Sequence, residues 1–323
     1  MKQIQIALMG LIILAFVLSF FVRLIWVYQF NDYEAFKYAG QFMINTNDGY
    51  YWAEGARDLL NNSFQKNDLS PIAEAPSQLT YLLASLLPVS FETLIFYMPA
   101  FLGSLIVIPM ILIGQNLKLP EVGFLAALLA SIDVSYYNRT MVGYYDTDML
   151  NIVLPVFLLW SLILAIRTQE EKYLLITALE IIAYRWWYPQ SYSLEFSYFG
   201  LILFYAVLFD RKNIFNFKLL AIMMFTMVGL PTIWRLVLVG VVYSIFKQEK
   251  FQNQIMGKRN ASAQAGLYTG QIQQLELICP NLGLQNQFAE RIQLIEAQKQ
   301  QAQSTLQKAE ELFNSLLYLG FAR

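Results

Sequence analysis

The sequence predicts an all-α, polytopic membrane protein with about eight transmembrane helices, a large first external loop and a soluble, coiled-coil-like helix at the C-terminal end. Hydrophobic residues make up 57% of the 323 residues and charged residues only 14%, against roughly 25% charged in ordinary soluble domains. Mean hydropathy is +0.44, and the apolar residues gather into runs, the longest of which can cross a hydrocarbon core of roughly 30 Å. Beyond about residue 250 the chain turns polar. These observations divide it into a membrane domain over 1–250, a linker over 251–265 and a tail over 266–323 that carries a long amphipathic helix.

The first apolar run, 4–27, is too long for a signal peptide, and no small-residue cleavage site closes it. Arg23 interrupts it near the far end and is expected to snorkel to the interface, where Trp26 and Tyr28 are natural anchors. Residues 29–88 contain no spanning run, so a sizeable loop or small helical cap is expected there. Further runs follow at 91–114, 122–137, 149–166, 173–188, 191–209, 217–233 and 236–246. Glu180, Arg185, Glu195 and Arg235 fall inside or beside these runs. A charge in hydrocarbon costs a few kcal/mol, so these side chains should face other helices or lie near the interface, and Glu180 could pair with Arg185 or Arg235.

Charge asymmetry sets the orientation. Alternate connections carry Lys118, then Arg167 and Lys172, then Arg211, Lys212 and Lys218, then Lys247 and Lys250. The positive-inside rule places these connections, Lys2 and the tail in the cytoplasm, and the long first loop outside. The expected arrangement is multi-pass, with the first loop and residues 138–148 both on the outer face. Within the tail, Phe288, Ile292, Ile295, Ala302, Leu306, Ala309, Phe313 and Leu316 alternate steps of four and three, broken only by Lys299. That is a heptad seam seeking a partner helix, with a lone amphipathic helix lying on the membrane as the alternative.

The composition also excludes chemistry. There is no histidine, which removes the commonest general base, the Ser-His-Asp and Cys-His arrangements and the usual zinc ligand. The single cysteine, Cys279, forms neither an intrachain disulfide nor a metal cluster. Catalysis must therefore rest on carboxylates, Lys, Arg, Tyr or a hard metal ion. The stretch that offers this is Asn138-Arg139-Thr140-Met141-Val142-Gly143-Tyr144-Tyr145-Asp146-Thr147-Asp148, a polar island between two apolar runs. Asp146 and Asp148 can reach one hard cation such as Mg²⁺ or Mn²⁺. They can equally favour the start of the next helix through its dipole and free N–H groups. Asp48, in Asn47-Asp48-Gly49, reads alone as a turn or cap residue, but it faces the same compartment.

Taken together, Asn47-Asp48-Gly49-Tyr50, Ala53-Glu54-Gly55-Ala56-Arg57-Asp58, Tyr136 to Met141, Gly143 to Leu150 and Trp186-Trp187-Tyr188-Pro189 resemble the single-subunit bacterial oligosaccharyltransferases (PglB type), N-terminal membrane portion, over residues 8–250. The resemblance implies transfer of a glycan from a lipid-linked pyrophosphate donor to the asparagine of an Asn-x-Ser/Thr sequon, with Mn²⁺ or Mg²⁺ as cofactor. It implies Asp48, Arg139 and Asp148 as catalytic residues, and Asp48, Asp146 and Asp148 as the metal set. Asp48 would also hold the acceptor amide, and Arg139 would support the acidic site or the pyrophosphate. Family members also carry further transmembrane helices, a glutamate on a later external loop and a sequon-reading Trp-Trp-Asp-Tyr-Gly motif, none of which stands in this sequence. Weak or no transfer by this chain alone is the expectation.

The tail resembles something else. Gly266-Leu267-Tyr268-Thr269, Cys279-Pro280, Leu284 to Ile292, Ile295 to Lys299 and Leu312 to Leu316 are similar to the C-terminal end of a type I restriction-enzyme specificity subunit. The tail is neither strongly basic nor rich in stacking aromatics, so nucleic acid is not expected as a partner. Two other readings follow: a noncatalytic membrane protein or fusion whose tail mediates assembly, and a fragment of a DNA-specificity subunit.

Overall fold

The computed structural model describes residues 2–63 and 70–247, together with Glu290, Gln298, Gln301, Ser304, Thr305 and Lys308 of the tail, all six helical. The apolar seam from Phe288 to Leu316 lies outside the described residues. Contacts separate one compact unit, Met1–Tyr268, from a second, Thr269–Arg323.

Among its described residues the first unit is mostly helical. Its elements are α1 (Lys2–Arg23), α2 (Ile25–Phe30), β1 (Lys37–Tyr38), β2 (Gln41–Phe42), α3 (Asn47–Asn61), α4 (Ala75–Leu86), α5 (Phe91–Ser104), α6 (Val107–Asn116), α7 (Pro120–Ile132), α8 (Val134–Asn138), α9 (Asp148–Asn151), α10 (Val153–Thr168), α11 (Lys172–Trp187), α12 (Tyr192–Leu208), α13 (Ile214–Met227) and α14 (Thr232–Lys247). Each of the eight apolar runs is occupied mainly by helix. The segments Ile6–Phe30, Phe91–Asn116, Asp148–Thr168 and Pro189–Leu208 are long and apolar enough to cross a membrane, while Pro120–Ile132 and Ile214–Met227 are shorter apolar helices.

Local chemistry explains the boundaries. Ser90 caps α5 by accepting from the Thr93 N–H at 3.2 Å, and Asp133 caps α8 by accepting from Ser135 and Tyr136. The Asp133 cap splits the 122–137 run into α7 and α8, because residue 133 leaves helical geometry. The all-α expectation needs one correction. Lys37↔Phe42 and Tyr38↔Gln41 pair as a two-stranded antiparallel ribbon, turned by Ala39 and Gly40 at φ +49° and +78°. Two consecutive left-handed residues are the signature of a tight hairpin turn, and strands this short leave no alternating pattern to detect.

Two large apolar clusters and a smaller one around Phe96, Ala100 and Val142 form the core among the described residues. Ile106, Val107, Ile111, Met149 and Trp187 lie in one, and Leu158, Leu174, Ile181, Leu219 and Ile222 in the other. The α6–α7 hairpin closes on Gly114 and Gly123. A Cβ on Gly114 would stand 2.6 Å from the Gly123 Cα and 2.8 Å from the Leu119 carbonyl oxygen, so only small residues let these two apolar helices approach this closely.

Charged residues inside the apolar runs depart from the sequence expectation twice. Arg23 does not snorkel: it is fully buried. Its Nε and Nη2 donate to Thr140 Oγ1 at 3.1 and 2.9 Å, and its Nη1 donates to Ser19 and Ser131. The Tyr136 ring lies 5.3 Å from its guanidinium. Neutral acceptors held by α1 and α7 outcompete the interface because the side chain points into the bundle. Nor does Glu180 take an arginine, since its Oε2 is buried without a partner among the described residues. Arg185 pairs instead with Glu195, Nη2 to Oε2 at 2.7 Å.

The connections assemble into two chemically distinct ends. At one, Arg167 donates to the Asn116 carbonyl, and Glu171 is bridged by Lys218 at 2.8 Å and Lys247 at 3.3 Å. Burial alone would raise the Glu171 carboxyl, but the two lysines outweigh it and hold it below its ordinary value. At the other end, Trp187 closes α11 against residues 143–148. Replacing Gly114 with alanine should force α6 and α7 apart and lower stability by about 1–3 kcal/mol. Thermal unfolding of purified G114A in detergent checks this, and an unchanged Tm would show that the hairpin is not limited by backbone approach.

Candidate functional site

The site is built on two backbone segments that touch. The Asn45 N–H donates to the Gly143 carbonyl at 2.9 Å, and the Gly143 N–H donates to the Phe96 carbonyl at 2.8 Å. Thr46 Oγ1 donates to the Tyr145 carbonyl at 2.8 Å while accepting from the Gly49 N–H at 3.2 Å. Thr46 is thus both the N-cap of α3 and the rivet between the two segments. Gly49 is required at this crossing, because a Cβ there would collide with the Tyr145 carbonyl and with Thr46 Oγ1. Gly143 is required for a second reason, its φ of +81°.

Buried anchors hold the second segment from behind. Tyr145 is fully buried, shares a hydrogen bond with Thr80 and donates to the Pro76 carbonyl at 3.3 Å. Burial pushes its phenol well above the ordinary tyrosine value, so it stays protonated and structural. Trp187 Nε1 donates to the Thr147 carbonyl at 2.8 Å. Arg23, through Thr140, fixes the residue next to Arg139.

On this frame the acids converge from two directions. Asp48 is exposed in the first turn of α3. Asp146 Oδ1 accepts from the Thr147 N–H at 2.6 Å and from the Trp52 indole at 3.3 Å. Asp148 begins α9, but its Oδ2 accepts from Arg139 Nη1 at 2.8 Å rather than capping the helix. Asp133 and Thr46 show what side-chain caps look like in this chain, and neither Asp146 nor Asp148 is used that way. Burial raises the Tyr144 phenol, Arg139 opposes, and Asp148, Asp146 and Asp48 each raise it further. All three carboxylates therefore act electrostatically on one hydroxyl. Asp148 in turn raises the already high value of the exposed Arg139 guanidinium.

Asp48 and the stretch carrying Arg139, Asp146 and Asp148 thus stand on two backbone segments that touch although they are far apart in sequence. As the side chains stand, no group of three His, Cys, Asp or Glu among the described residues is arranged to hold a metal ion. Asp146 gives one oxygen to Trp52 and Asp148 gives one to Arg139, while the second oxygen of each makes no hydrogen bond among the described residues. Carboxylate oxygens on two pinned segments suit a hard divalent cation in donor type. Trp52 and Thr46 carried no signal of their own in the sequence, and Tyr144 and Trp187 stood in recognisable strings without a role.

Three comparisons bear on this geometry. The family model described as "Oligosaccharyl transferase STT3, N-terminal" matches residues 4–297. An undecaprenyl-diphosphooligosaccharide–protein glycotransferase of Campylobacter jejuni is 41% identical over 250 residues, covering 77% of this chain and 35% of that protein. A dolichyl-phosphooligosaccharide–protein glycotransferase of Methanococcus voltae is 30% identical over 105 residues, 29% of this chain and 12% of that protein. The crystal structure of the Archaeoglobus fulgidus oligosaccharyltransferase in its apo form superposes with a TM-score of 0.54 at 18% identity, covering 84% of this chain and 36% of that one. That likeness establishes the fold. The chain spans about a third of the length of the Campylobacter relative. Because Gly49 is the narrowest point of the crossing, G49A should separate Asp48 from Asp146 and cost about 1–3 kcal/mol. Thermal unfolding combined with limited proteolysis between residues 44 and 49 checks this; wild-type resistance and Tm would refute the crossing.

Proposed function

This chain belongs to the oligosaccharyl transferase STT3 family, and from that premise we propose that it serves protein N-glycosylation. It would transfer a glycan from a lipid-linked diphosphate donor to the side-chain amide of asparagine in an Asn-x-Ser/Thr sequence. The observation that carries the reading is the joining of residues 45–52 to 143–146 by three hydrogen bonds, which brings the segments bearing Asp48, Asp146 and Asp148 into contact.

The residues divide the work by chemistry. Asp146 and Asp148, joined by Asp48, would hold Mn²⁺ or Mg²⁺ through oxygen; when bound, such an ion supplies Lewis-acid neutralisation of the leaving diphosphate. Trp52 orients Asp146 through its indole N–H, and Arg139 orients Asp148 and offsets the concentration of negative charge. Asp48, exposed at the start of α3, accepts a hydrogen bond from the acceptor amide. Amide conjugation is strong, with a rotation barrier of roughly 18–20 kcal/mol in the peptide bond. A carboxylate that holds the N–H out of plane therefore frees the nitrogen lone pair. As the new C–N bond to the sugar forms, the bond from sugar carbon to diphosphate oxygen breaks. One amide proton leaves the nitrogen, and Asp48 is the base set to take it.

Turnover by this chain alone is weak. Mg²⁺ and Mn²⁺ favour about six oxygen ligands, and Trp52 and Arg139 already engage one oxygen each on Asp146 and Asp148. We place the protein in the bacterial inner membrane with eight spans, these acids on the periplasmic face and the tail in the cytoplasm. The tail's helix would meet a partner helix there.

Side-by-side assay of purified chain and the Campylobacter relative, with lipid-linked oligosaccharide and a sequon peptide, tests the chemistry. Transfer should be at least about 100-fold slower than for the relative and require Mn²⁺. D146N and D148N should each weaken Mn²⁺ binding, read by electron paramagnetic resonance, by about tenfold. Metal-independent transfer, or undiminished binding in both variants, would sink the assignment. Topology has its own test in the single thiol, Cys279. A membrane-impermeant maleimide should label it in inside-out vesicles and not in intact spheroplasts, and the reverse pattern would invert the orientation.

A further inference from the structure

Where the first apolar span, Ile6–Phe30, ends, an open cavity of about 450 Å³ lies between α2 and α5. Leu24, Val27, Tyr28, Asn31, Asp32 and Tyr97 line it, and the glycan-transfer chemistry uses none of them. The volume falls within the roughly 300–1,000 Å³ of small-molecule sites. Leu24 and Asn31 are the N-cap and C-cap of α2, and with Val27 and Tyr28 between them they fall on one helix face. The opposite wall is held in place. The Tyr97 ring meets Phe96 edge-on at 5.1 Å, and Phe96 stacks on Phe42 at 5.1 Å.

The lining changes character along its length. Leu24 and Val27 are apolar and pack against the Phe96 cluster. Tyr28 follows, 89% exposed, and then Asn31 and Asp32, both exposed. At 1.5 Å per residue, Leu24 and Asp32 stand about 12 Å apart along the axis. On the bilayer side, Phe21 and Ile25 precede Tyr28 and are exposed at 62% and 45%. An apolar track in the span therefore leads up to a groove whose far end is acidic. That gradient suits an amphiphile, tails in the hydrocarbon and head at Asp32.

Charge decides which head fits. Asp32 is the one ionic group in the lining, with no lysine or arginine beside it. It makes no ion pair among the described residues, and its Oδ1 accepts from the adjacent Asn31 Nδ2 at 3.5 Å. Lys37, the next basic residue after Arg23, is engaged by Glu34 at 3.4 Å. An anionic head would be repelled here. A primary ammonium brings three N–H donors, which the carboxylate, the Asn31 amide oxygen and the tyrosine hydroxyls can accept. Charge-assisted bonds to a carboxylate are the strong kind, and aromatic faces attract a cation. We propose that this cavity binds the head-group ammonium of an aminophospholipid, whose chains lie along Phe21 and Ile25. The site is independent of glycan transfer, because it shares no residue with Asp48, Arg139, Asp146 or Asp148.

The test uses the full chain in detergent, titrated with short-chain phosphatidylethanolamine, phosphatidylcholine and phosphatidylglycerol, and with a soluble lysine peptide, read by native mass spectrometry and thermal shift. Phosphatidylethanolamine should bind about fivefold more tightly than phosphatidylcholine, whose quaternary head has no N–H to donate, and phosphatidylglycerol should bind most weakly. D32N should bring phosphatidylethanolamine down to the phosphatidylcholine level. Asp32 is exposed, so this change removes a charge without opening the core. E34Q, which removes a carboxylate two residues away and outside the lining, should bind as wild type does. Equal binding of phosphatidylethanolamine and phosphatidylcholine by wild type would overturn the proposal. So would a D32N that keeps the preference, or an E34Q that loses it to the same extent. A response to the lysine peptide that D32N abolishes, without any preference among the lipids, would overturn the lipid assignment in favour of a polypeptide amine.

Discussion

The arrangement of the acidic end depends on one backbone crossing, where residues 45–49 meet 143–145. The visible ion pair at the site, Arg139 with Asp148, cannot be what organises it. Arg139 is 62% exposed, and exposed pairs contribute at most about 1 kcal/mol. The Asn45–Gly143, Thr46–Tyr145 and Gly143–Phe96 hydrogen bonds run beside Ile44, Val142 and Tyr145, all buried. Each contributes about 1 kcal/mol net, and leaving one unmade costs more. The frame therefore sets the acids, and the ion pair adjusts Asp148 within it. Solvent-facing side chains are positioned here by backbone hydrogen bonds between two segments.

Buried polarity follows the same logic elsewhere in the bundle, with two solutions. Arg23 is satisfied by neutral oxygens and an aromatic face, a scheme that needs no counter-ion but many converging acceptors. Arg185 is satisfied by a fully buried carboxylate. Removing one partner of such a pair strands the other, at about 3–5 kcal/mol. Both residues tie a helix end to a neighbouring element, so each carries a structural constraint as well as a charge.

Much of the fold was legible because long apolar runs leave little choice in a membrane: all backbone groups must bond within the segment, and helix is the economical way. Hence every predicted run is helical, whereas details set by single side chains were not visible. The split at Asp133 depends on one cap, the ribbon at Lys37–Phe42 on one turn, and the inward aim of Arg23 on acceptors more than 100 residues away. The same division holds at the site. Asp48, Arg139, Asp146 and Asp148 stood out by spacing and by likeness to a known family. Trp52 did not, because its indole matters only through Asp146, 94 residues later. Glu180 was misread for a related reason: a charge pattern along one helix cannot show which partner a neighbouring helix has already taken.

Arg23 also bears on how the chain is made. Helix α1 is synthesised before α7, and Ser131 and Thr140, two of the residues that satisfy its guanidinium, follow 108 and 117 residues after Arg23. Until α7 and the segment after it arrive, the first helix carries a cation supplied only by Ser19 from its own turn. The full set of partners for that guanidinium is therefore complete only once the third apolar segment and Thr140 after it are in place.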